Sequence, residues 1–296
     1  MVTISLIGEQ PIPNLLPLRY QPPDIALLAH TDRTKRVAER LQRLLKSSDI
    51  QVRLIPTDPY DIRRVQADIR GFLAREGLEG AELAFNLTGG TKTMVMAAYE
   101  LAREYEAPFF YLQSEGRRSI LYRYRFEGGV ARYEGKEVLP GVLTIHDYLK
   151  AHLDDPYPKI TGPRDSFEKA IAEALKEVVD EVVVGVTLAG ALEVDLVVRK
   201  GNQVGVIQAK TGGAARRKEC LDQLNSACES RHLGTYTHKI LVINQQWDQT
   251  LTNLQELAEA WQITVIELPS FSETHPYFSE EDRQRLQAEV VRVLSG

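Results

Sequence analysis

Four side chains able to bind a divalent cation or handle a proton fall close together in the second half of the chain. They are Glu193 and Asp195 in Glu193-Val194-Asp195, and Gln208 and Lys210 in Gln208-Ala209-Lys210. Between them lies Lys200-Gly201-Asn202-Gln203, and Gly-Asn is a good β-hairpin turn. A turn on Gly201-Asn202 sets Asp195 opposite Gln208 and Glu193 opposite Lys210, with opposed Cβ atoms about 4.5–5.5 Å apart. Side chains alternate along a strand, so all four emerge on one face. Val194, Leu196, Ile207 and Ala209 then form an apolar face, and a one-residue slip would bury the charges instead. The Asp195 carboxylate and the Gln208 carbonyl suit a hard cation, Mg²⁺ or Mn²⁺. Lys210 beside them is placed to orient a water and to stabilise charge on a phosphate. The plain alternative is a solvated strand face carrying a Glu–Lys pair worth about 0.2–1 kcal/mol.

A second stretch carries a different chemistry. The apolar run Ala81 to Phe85 leads into Asn86-Leu87-Thr88-Gly89-Gly90-Thr91-Lys92-Thr93 and then a helical pattern. Two glycines let the backbone approach a ligand closely. The free amides and dipole of a helix start favour an anion. Lys92 adds charge, and Thr88, Thr91 and Thr93 add hydroxyls. Thr91 separates Gly90 from Lys92, so this is no Walker A loop, and phosphodiester binding fits better than triphosphate hydrolysis. The plain reading is a capped helix after a tight turn. The loop Gly8 to Asn14 follows the first apolar run; Gln10 and Asn14 there are placed to bond bases or ribose.

These residues need a scaffold. The first half alternates strand patterns (2–7, 25–29, 50–55, 81–85, 109–112, 119–126) with helical ones (34–46, 59–74, 91–105). Pro59 suits the first helical turn of 59–74. Such β-α-β units predict a mainly parallel sheet with helices on both faces and ligands at the strands' carboxyl ends. Residues 128–135 read as a loop or hairpin, and 145–153 as a short helix. The second half predicts helices at 167–179, 217–230, 251–261 and 282–294, and strands at 181–186, 192–199, 203–209, 239–243 and 264–267. This is a second α/β domain with a mixed sheet. Three prolines and a glycine in 154–163 mark the connection. The expected division is a first domain over 1–145, a linker over 146–163 and a second domain over 164–296.

The acid–acid-or-amide–x–lysine spacing of Asp195, Gln208 and Lys210 resembles the PD-(D/E)XK restriction-endonuclease-like fold. That family often adds a carboxylate on the preceding helix. Glu168 matches that place, with Glu173 as competitor, so the resemblance implies metal ligation by Asp195, Gln208 and Glu168. Gln208 stands where the family usually has an acid, and Glu193 is placed to supply the missing charge. In the first half, the turn Asn86 to Lys92 together with Gly8 to Asn14 resembles a CARF domain, a Rossmann-like sensor of cyclic oligoadenylate in type III CRISPR immunity. The whole chain is thus similar to CRISPR ancillary nucleases of the Card and Can type. The resemblance implies a homodimer and a pocket for cyclic tetra-adenylate formed by Gln10, Asn14, Thr88, Gly89, Gly90, Thr91, Lys92 and Thr93. It further implies an allosterically activated nuclease cutting DNA or RNA. A sensor with an inert second site is the alternative. A ring nuclease ranks last, since no general base stands beside Lys92.

Composition excludes other classes. The chain has 296 residues, 43% hydrophobic and 26% charged, with net charge −5, which rules out a strongly basic nucleic-acid coat. No apolar run approaches the ~20 residues of a membrane span. The apolar start has no basic segment before it, so no signal peptide and a cytoplasmic location are expected. Cys220 and Cys228 lack Cys-x-x-Cys spacing and, on one helix, lie about 12 Å apart, too far for a disulfide. The six histidines form no His-Glu-x-x-His arrangement. Arg216-Arg217-Lys218 follows a Gly212-Gly213 hinge and is placed either to meet a nucleic-acid backbone or to start a solvated helix.

Overall fold

The computed structural model describes every residue except Ser47, Ser48, Ser230, Thr235 and Gly296. The chain divides into two units, Met1–Val142 and Leu143–Gly296.

The first unit runs β1 (Val2–Leu6), α1 (Ile12–Tyr20), β2 (Ile25–His30), α2 (Lys35–Lys46), β3 (Gln51–Pro56), α3 (Ile62–Arg75), β4 (Leu83–Asn86), α4 (Lys92–Glu104), β5 (Phe109–Glu115), β6 (Arg118–Glu127) and β7 (Val130–Val138). Its sheet order is β3-β2-β1-β4-β5-β6-β7. The first five strands are parallel, and β6 and β7 extend the sheet antiparallel. Ile4, Leu6, Leu27 and Ala29 pack with Ile69, Leu73, Met94 and Ala98 of α3 and α4. Ala26 and Leu28 alternate with these and are buried on the other face, as are Val37, Leu41 and Leu45 of α2. This is the expected helix–sheet–helix layering.

Two elements differ from the sequence reading. The expected loop Gly8 to Asn14 turns into α1, which starts after Pro11 and holds Pro17 inside. Proline is acceptable in a first helical turn because its missing N–H has no partner there anyway. Pro59 lies outside α3, whose N-cap is Asp61; the Asp61 carboxylate accepts from the Arg64 amide at 3.1 Å. The stretch 128–135, read as a loop or hairpin, is a hairpin, and its second strand β7 runs on to Val138, paired along β6.

The second unit runs α5 (Ile145–His152), β8 (Lys159–Ile160), α6 (Ser166–Leu175), β9 (Glu181–Ala189), β10 (Leu192–Lys200), β11 (Gln203–Lys210), α7 (Glu219–Ala227), β12 (His238–Ile243), α8 (Thr252–Ala260), β13 (Ile263–Glu267) and α9 (Glu280–Ser295). The order β13-β12-β11-β10-β9-β8 is mixed, with β11, β12 and β13 parallel. Phe167 and Ile171 of α6 and Leu286 and Val290 of α9 pack on Leu196, Val198, Ile207 and Ala209. α7 lies against β10, β11 and β12. Helix α5, capped by Thr144 and Asp147, occupies the start of the segment expected to be a linker. The prolines of 154–163 lie inside the second unit, where Lys159 and Ile160 pair with β9. The Gly212-Gly213 hinge is the start of a 3-10 turn, Gly212–Arg216. The helix predicted over 217–230 begins later and ends earlier, as α7, and Ser230 is outside the described residues. Among the described residues, no helix is long and apolar enough to cross a membrane.

One glycine has a packing reason that can be tested. A Cβ on Gly89 would lie 2.1 Å from the Leu6 carbonyl oxygen and 3.2 Å from the Gly8 amide, so the turn after β4 rests directly on the end of β1. Gly89→Ala is expected to cost about 1–3 kcal/mol in chemical denaturation of the full chain. An unchanged midpoint and slope would contradict this packing.

Candidate functional site

The hairpin forms in the register read from the sequence, with Leu196 opposite Ile207 and Lys200 opposite Gln203. Continued one step, it sets Asp195 beside Gln208. There three donors converge on one carboxylate oxygen of Asp195, Oδ2. Gln208 Nε2 donates at 2.7 Å, the Ala209 amide at 2.7 Å and Lys210 Nζ at 3.0 Å. Oδ1 accepts from no described residue. Asp195 is 3% exposed and Gln208 2%. The solvated-face alternative therefore fails for these two residues, because α7 covers their side of the sheet. Periodicity within a hairpin cannot report a helix that arrives later in the chain.

Glu168 comes to the same place from α6. The Asp165 carboxylate caps that helix by accepting from the Glu168 amide at 2.9 Å. Glu168 Oε2 accepts from the Arg164 amide at 2.9 Å, while Oε1 accepts from no described residue. Glu168 is 4% exposed. Burial first, and then the nearby Asp195 charge, push its carboxyl above the usual carboxylate range. Its competitor Glu173 is exposed and pairs with Lys176 at 2.7 Å on its own helix.

Glu193 departs from expectation. The predicted cross-strand pair with Lys210 is absent, because Lys210 reaches Asp195 instead. A bulge between Leu192 and Glu193 shifts the β9–β10 register, and Glu193 Oε2 accepts from the Arg164 guanidinium. Glu193 Oε1 and Gln208 Oε1 are buried without a hydrogen-bond partner. Among the described residues, no three His, Cys, Asp or Glu side chains are gathered as a metal site. The unpartnered oxygens of Glu168, Asp195 and Gln208 are nonetheless an all-oxygen set, and such donors suit a hard divalent cation. Spacing gave no hint of Arg164, since its link to Glu193 spans 29 residues.

The neighbouring basic run is mostly engaged locally. Arg216 pairs with Asp248 at 3.0 Å, and Lys218 pairs with Asp222 at 3.5 Å while lying over the Trp261 ring. Arg217 is exposed.

In the first unit, the turn before α4 is held by its own side chains. Asn86 accepts from both the amide and the hydroxyl of Thr88, at 3.1 and 2.6 Å, and the Leu112 amide donates to that hydroxyl at 2.9 Å. Asn14 is fully buried and accepts from Asn86 at 3.2 Å. Thr91 caps α4 by accepting from the Met94 amide at 3.2 Å, and Thr91 and Thr93 both donate to the Pro59 carbonyl at 2.5 Å. These side chains shape the turn. The amides of Gly89, Gly90, Thr91, Lys92 and Thr93 donate to no described group. Lys92 is exposed and has no partner among the described residues, and Gln10 is half-buried. A cleft of about 990 Å³ opens at the carboxyl ends of β1, β2 and β3, bordered by Thr31, Thr34, Asp58, Tyr60, Gly90 and Thr91. Of the sequence-derived ligand residues only Gly90 and Thr91 border it. The cleft also borders Ile7, Gly8 and Glu9 after β1, and from there it reaches over the ends of β2 and β3.

Three comparisons place this geometry among known proteins. Can2 from Sulfobacillus thermosulfidooxidans, solved in complex with cyclic tetra-adenylate, shares 15% identity, with 100% of this chain and 97% of that chain covered at a TM-score of 0.71. Protein VC1899 from Vibrio cholerae shares 14%, with 98% and 97% covered at 0.74. A type III CRISPR defence DNA nuclease activated by cyclic oligoadenylate shares 15% at 0.62, and the match spans 100% of this chain but 51% of that one. At such identities the likeness is one of fold. A search of curated proteins finds no match. The Card1 CARF domain model matches residues 2–148. This chain is therefore a CARF-domain protein, its first half belonging to the Card1 CARF family.

Proposed function

We propose that the first unit binds a cyclic oligoadenylate, cyclic tetra-adenylate first among them. The second unit then cuts phosphodiester bonds of DNA or RNA with Mn²⁺ or Mg²⁺, as part of type III CRISPR defence. The observation that carries the second half is a set of oxygens without partners among the described residues, on the buried residues Glu168, Asp195 and Gln208, beside a lysine. The sensing half is supported by the CARF family match and by the run of free amides with Lys92 at the start of α4. The activator bound to Can2, and the nuclease among the similar folds, support joining the two. On this reading the protein acts as a homodimer in the cytoplasm, whose two copies share one symmetric activator.

The residues divide the work. Glu168, Asp195 and Gln208 would hold the divalent ion. When bound, that ion polarises the phosphodiester and lowers the pKa of a water. Gln208 Nε2 and the Ala209 amide lock the Asp195 carboxylate, so its free oxygen points one way. Lys210 keeps a positive charge at Asp195 and is positioned to orient the attacking water and to face charge developing on the phosphate. α7 and the sheet exclude bulk water from Asp195 and Gln208, which strengthens each of these interactions.

A sensor without cleavage is the second reading. The pairing of Glu193 with Arg164, which leaves no gathered group of three carboxylates among the described residues, favours it. Cleavage assays with Mn²⁺, each cyclic oligoadenylate and single- or double-stranded substrates decide between the two.

In those assays Asp195→Ala and Lys210→Ala are each expected to lower cleavage at least about 100-fold. Activator affinity, read by calorimetry, should be unchanged; normal cutting by both variants would refute the assignment. Lys92→Ala is expected to weaken activator binding about fivefold, with a shallower salt dependence. Equal affinity and equal salt slope would place the ligand elsewhere.

Glu168 gives a prediction from its raised pKa. A carboxyl whose folded-state pKa lies above its unfolded value favours the fold fully at pH below the unfolded value. That contribution is lost as pH rises through the folded value. At neutral pH without metal, the buried Glu168 charge is therefore a cost. Glu168→Gln, which keeps an acceptor for the Arg164 amide, should raise Tm in EDTA at pH 7.5 and reduce the further rise on adding Mn²⁺. A lower Tm in EDTA would show that the carboxylate is already compensated.

A further inference from the structure

The Glu193 carboxylate is half satisfied. It shares the face of β10 that carries Asp195, two residues away. Its Oε2 accepts from the Arg164 guanidinium, yet its Oε1 is buried with no donor. A desolvated carboxylate oxygen without a partner is costly, and one guanidinium on the other oxygen offsets only part of that. The Glu193 side chain is 18% exposed, whereas that of Arg164 is 57% exposed. The pair thus joins a sheltered anion to a cation that already stands largely in water.

The backbone of Arg164 is held independently of its side chain. Its amide donates to Glu168 Oε2 at 2.9 Å. The segment leading to it is pinned at Gly185, where Thr161 donates its amide to the Gly185 carbonyl at 2.9 Å. A Cβ on Gly185 would lie 2.3 Å from the Gly162 carbonyl oxygen, and φ there is +67°. One residue therefore touches two carboxylates by two means. The main-chain contact to Glu168 survives any rotation of the side chain, and the guanidinium contact to Glu193 does not. Arginine stays charged at every working pH, so only a competing cation or a movement of the chain releases Glu193.

We propose that Arg164 is a displaceable counter-cation of this site: it holds Glu193 until a divalent ion takes that carboxylate over. The inference rests on reading Glu168, Asp195 and Gln208 as a metal-binding set. It makes Arg164 a positioning residue that sets metal affinity by competition. It also accounts for the missing third carboxylate, because Glu193 pairs with Arg164.

The test is Mn²⁺ binding to the full-length, EDTA-stripped protein, by calorimetry and by the loss of the free Mn²⁺ spin-resonance signal. Arg164→Met is expected to tighten Mn²⁺ binding about fivefold. Arg164→Lys, which keeps the charge, should stay within about twofold of the wild type. In a Glu193→Gln background, Arg164→Met should have no effect. Thermal melts check that each variant folds, and Arg164→Gln carries the same expectation should Arg164→Met unfold. Unchanged or weaker binding in Arg164→Met, or the same gain without Glu193, would overturn the role of Arg164 alone, provided Asp195→Asn abolishes binding in the wild type. Absence of Mn²⁺ binding from the wild type and Arg164→Met alike would overturn the metal reading with it.

Discussion

A carboxylate inside a protein must be given back what water supplied, and in this chain that carboxylate belongs to Asp195. One of its oxygens receives an amide, a side-chain amide and an ammonium group. Those donors come from three consecutive residues of β11, so the bond set exists only in one hairpin register. The apolar side of the same hairpin agrees, since Leu196, Val198, Ile207 and Ala209 reach the α6–α9 core only in that register. Charge and packing thus impose the same constraint, and together they leave Asp195 Oδ1 free beside the unpartnered oxygens of Gln208 and Glu168. A buried group of acceptors without donors is a poor way to stabilise a fold. It is a sound way to hold a cation.

Both units bring backbone close to backbone where a side chain would intervene. Gly89 lets the turn before α4 rest on the end of β1, and the same turn holds a row of amides without an acceptor among the described residues. Gly185 lets the segment before α6 cross β9, and that segment delivers Arg164. In each unit the hydroxyls and amides of short polar residues fix the loop internally. Thr88, Thr91 and Asn86 do so at α4, and Asp165 does so at α6. The groups left for a ligand are main-chain N–H in the first unit and carboxyl oxygen in the second. These suit an anion and a cation respectively.

Much of this could be read from the residues. The alternation in 192–210 determined the register, the face and the pairing of Asp195 with Gln208, because period-two patterns and a two-residue turn are local properties. The parallel first half followed from repeated β-α-β spacing. Other features depend on contacts far along the chain. α1 was hidden by Pro11, Pro13 and Pro17, which read as a stiff loop although a first helical turn tolerates proline. β7 was legible only as loop or hairpin, because Arg132, Tyr133, Glu134 and Lys136 give an edge strand no apolar alternation. The burial of Asp195 depends on α7, and Glu193 takes its partner, Arg164, from 29 residues away while Lys210 bonds Asp195. The prolines of 154–163 suggested a linker, yet a proline cluster marks a connection within a domain just as well as one between domains.

The central claim is that the oxygens left free on Asp195, Gln208 and Glu168 surround a place for a divalent ion. Diffraction from crystals of the full chain soaked in manganese, collected for anomalous signal, tests it directly. The account predicts an anomalous peak within bonding distance of Asp195 Oδ1 and Gln208 Oε1, with Lys210 still beside Asp195. A featureless map there, with the same oxygens bonded to protein or ordered water, would contradict it.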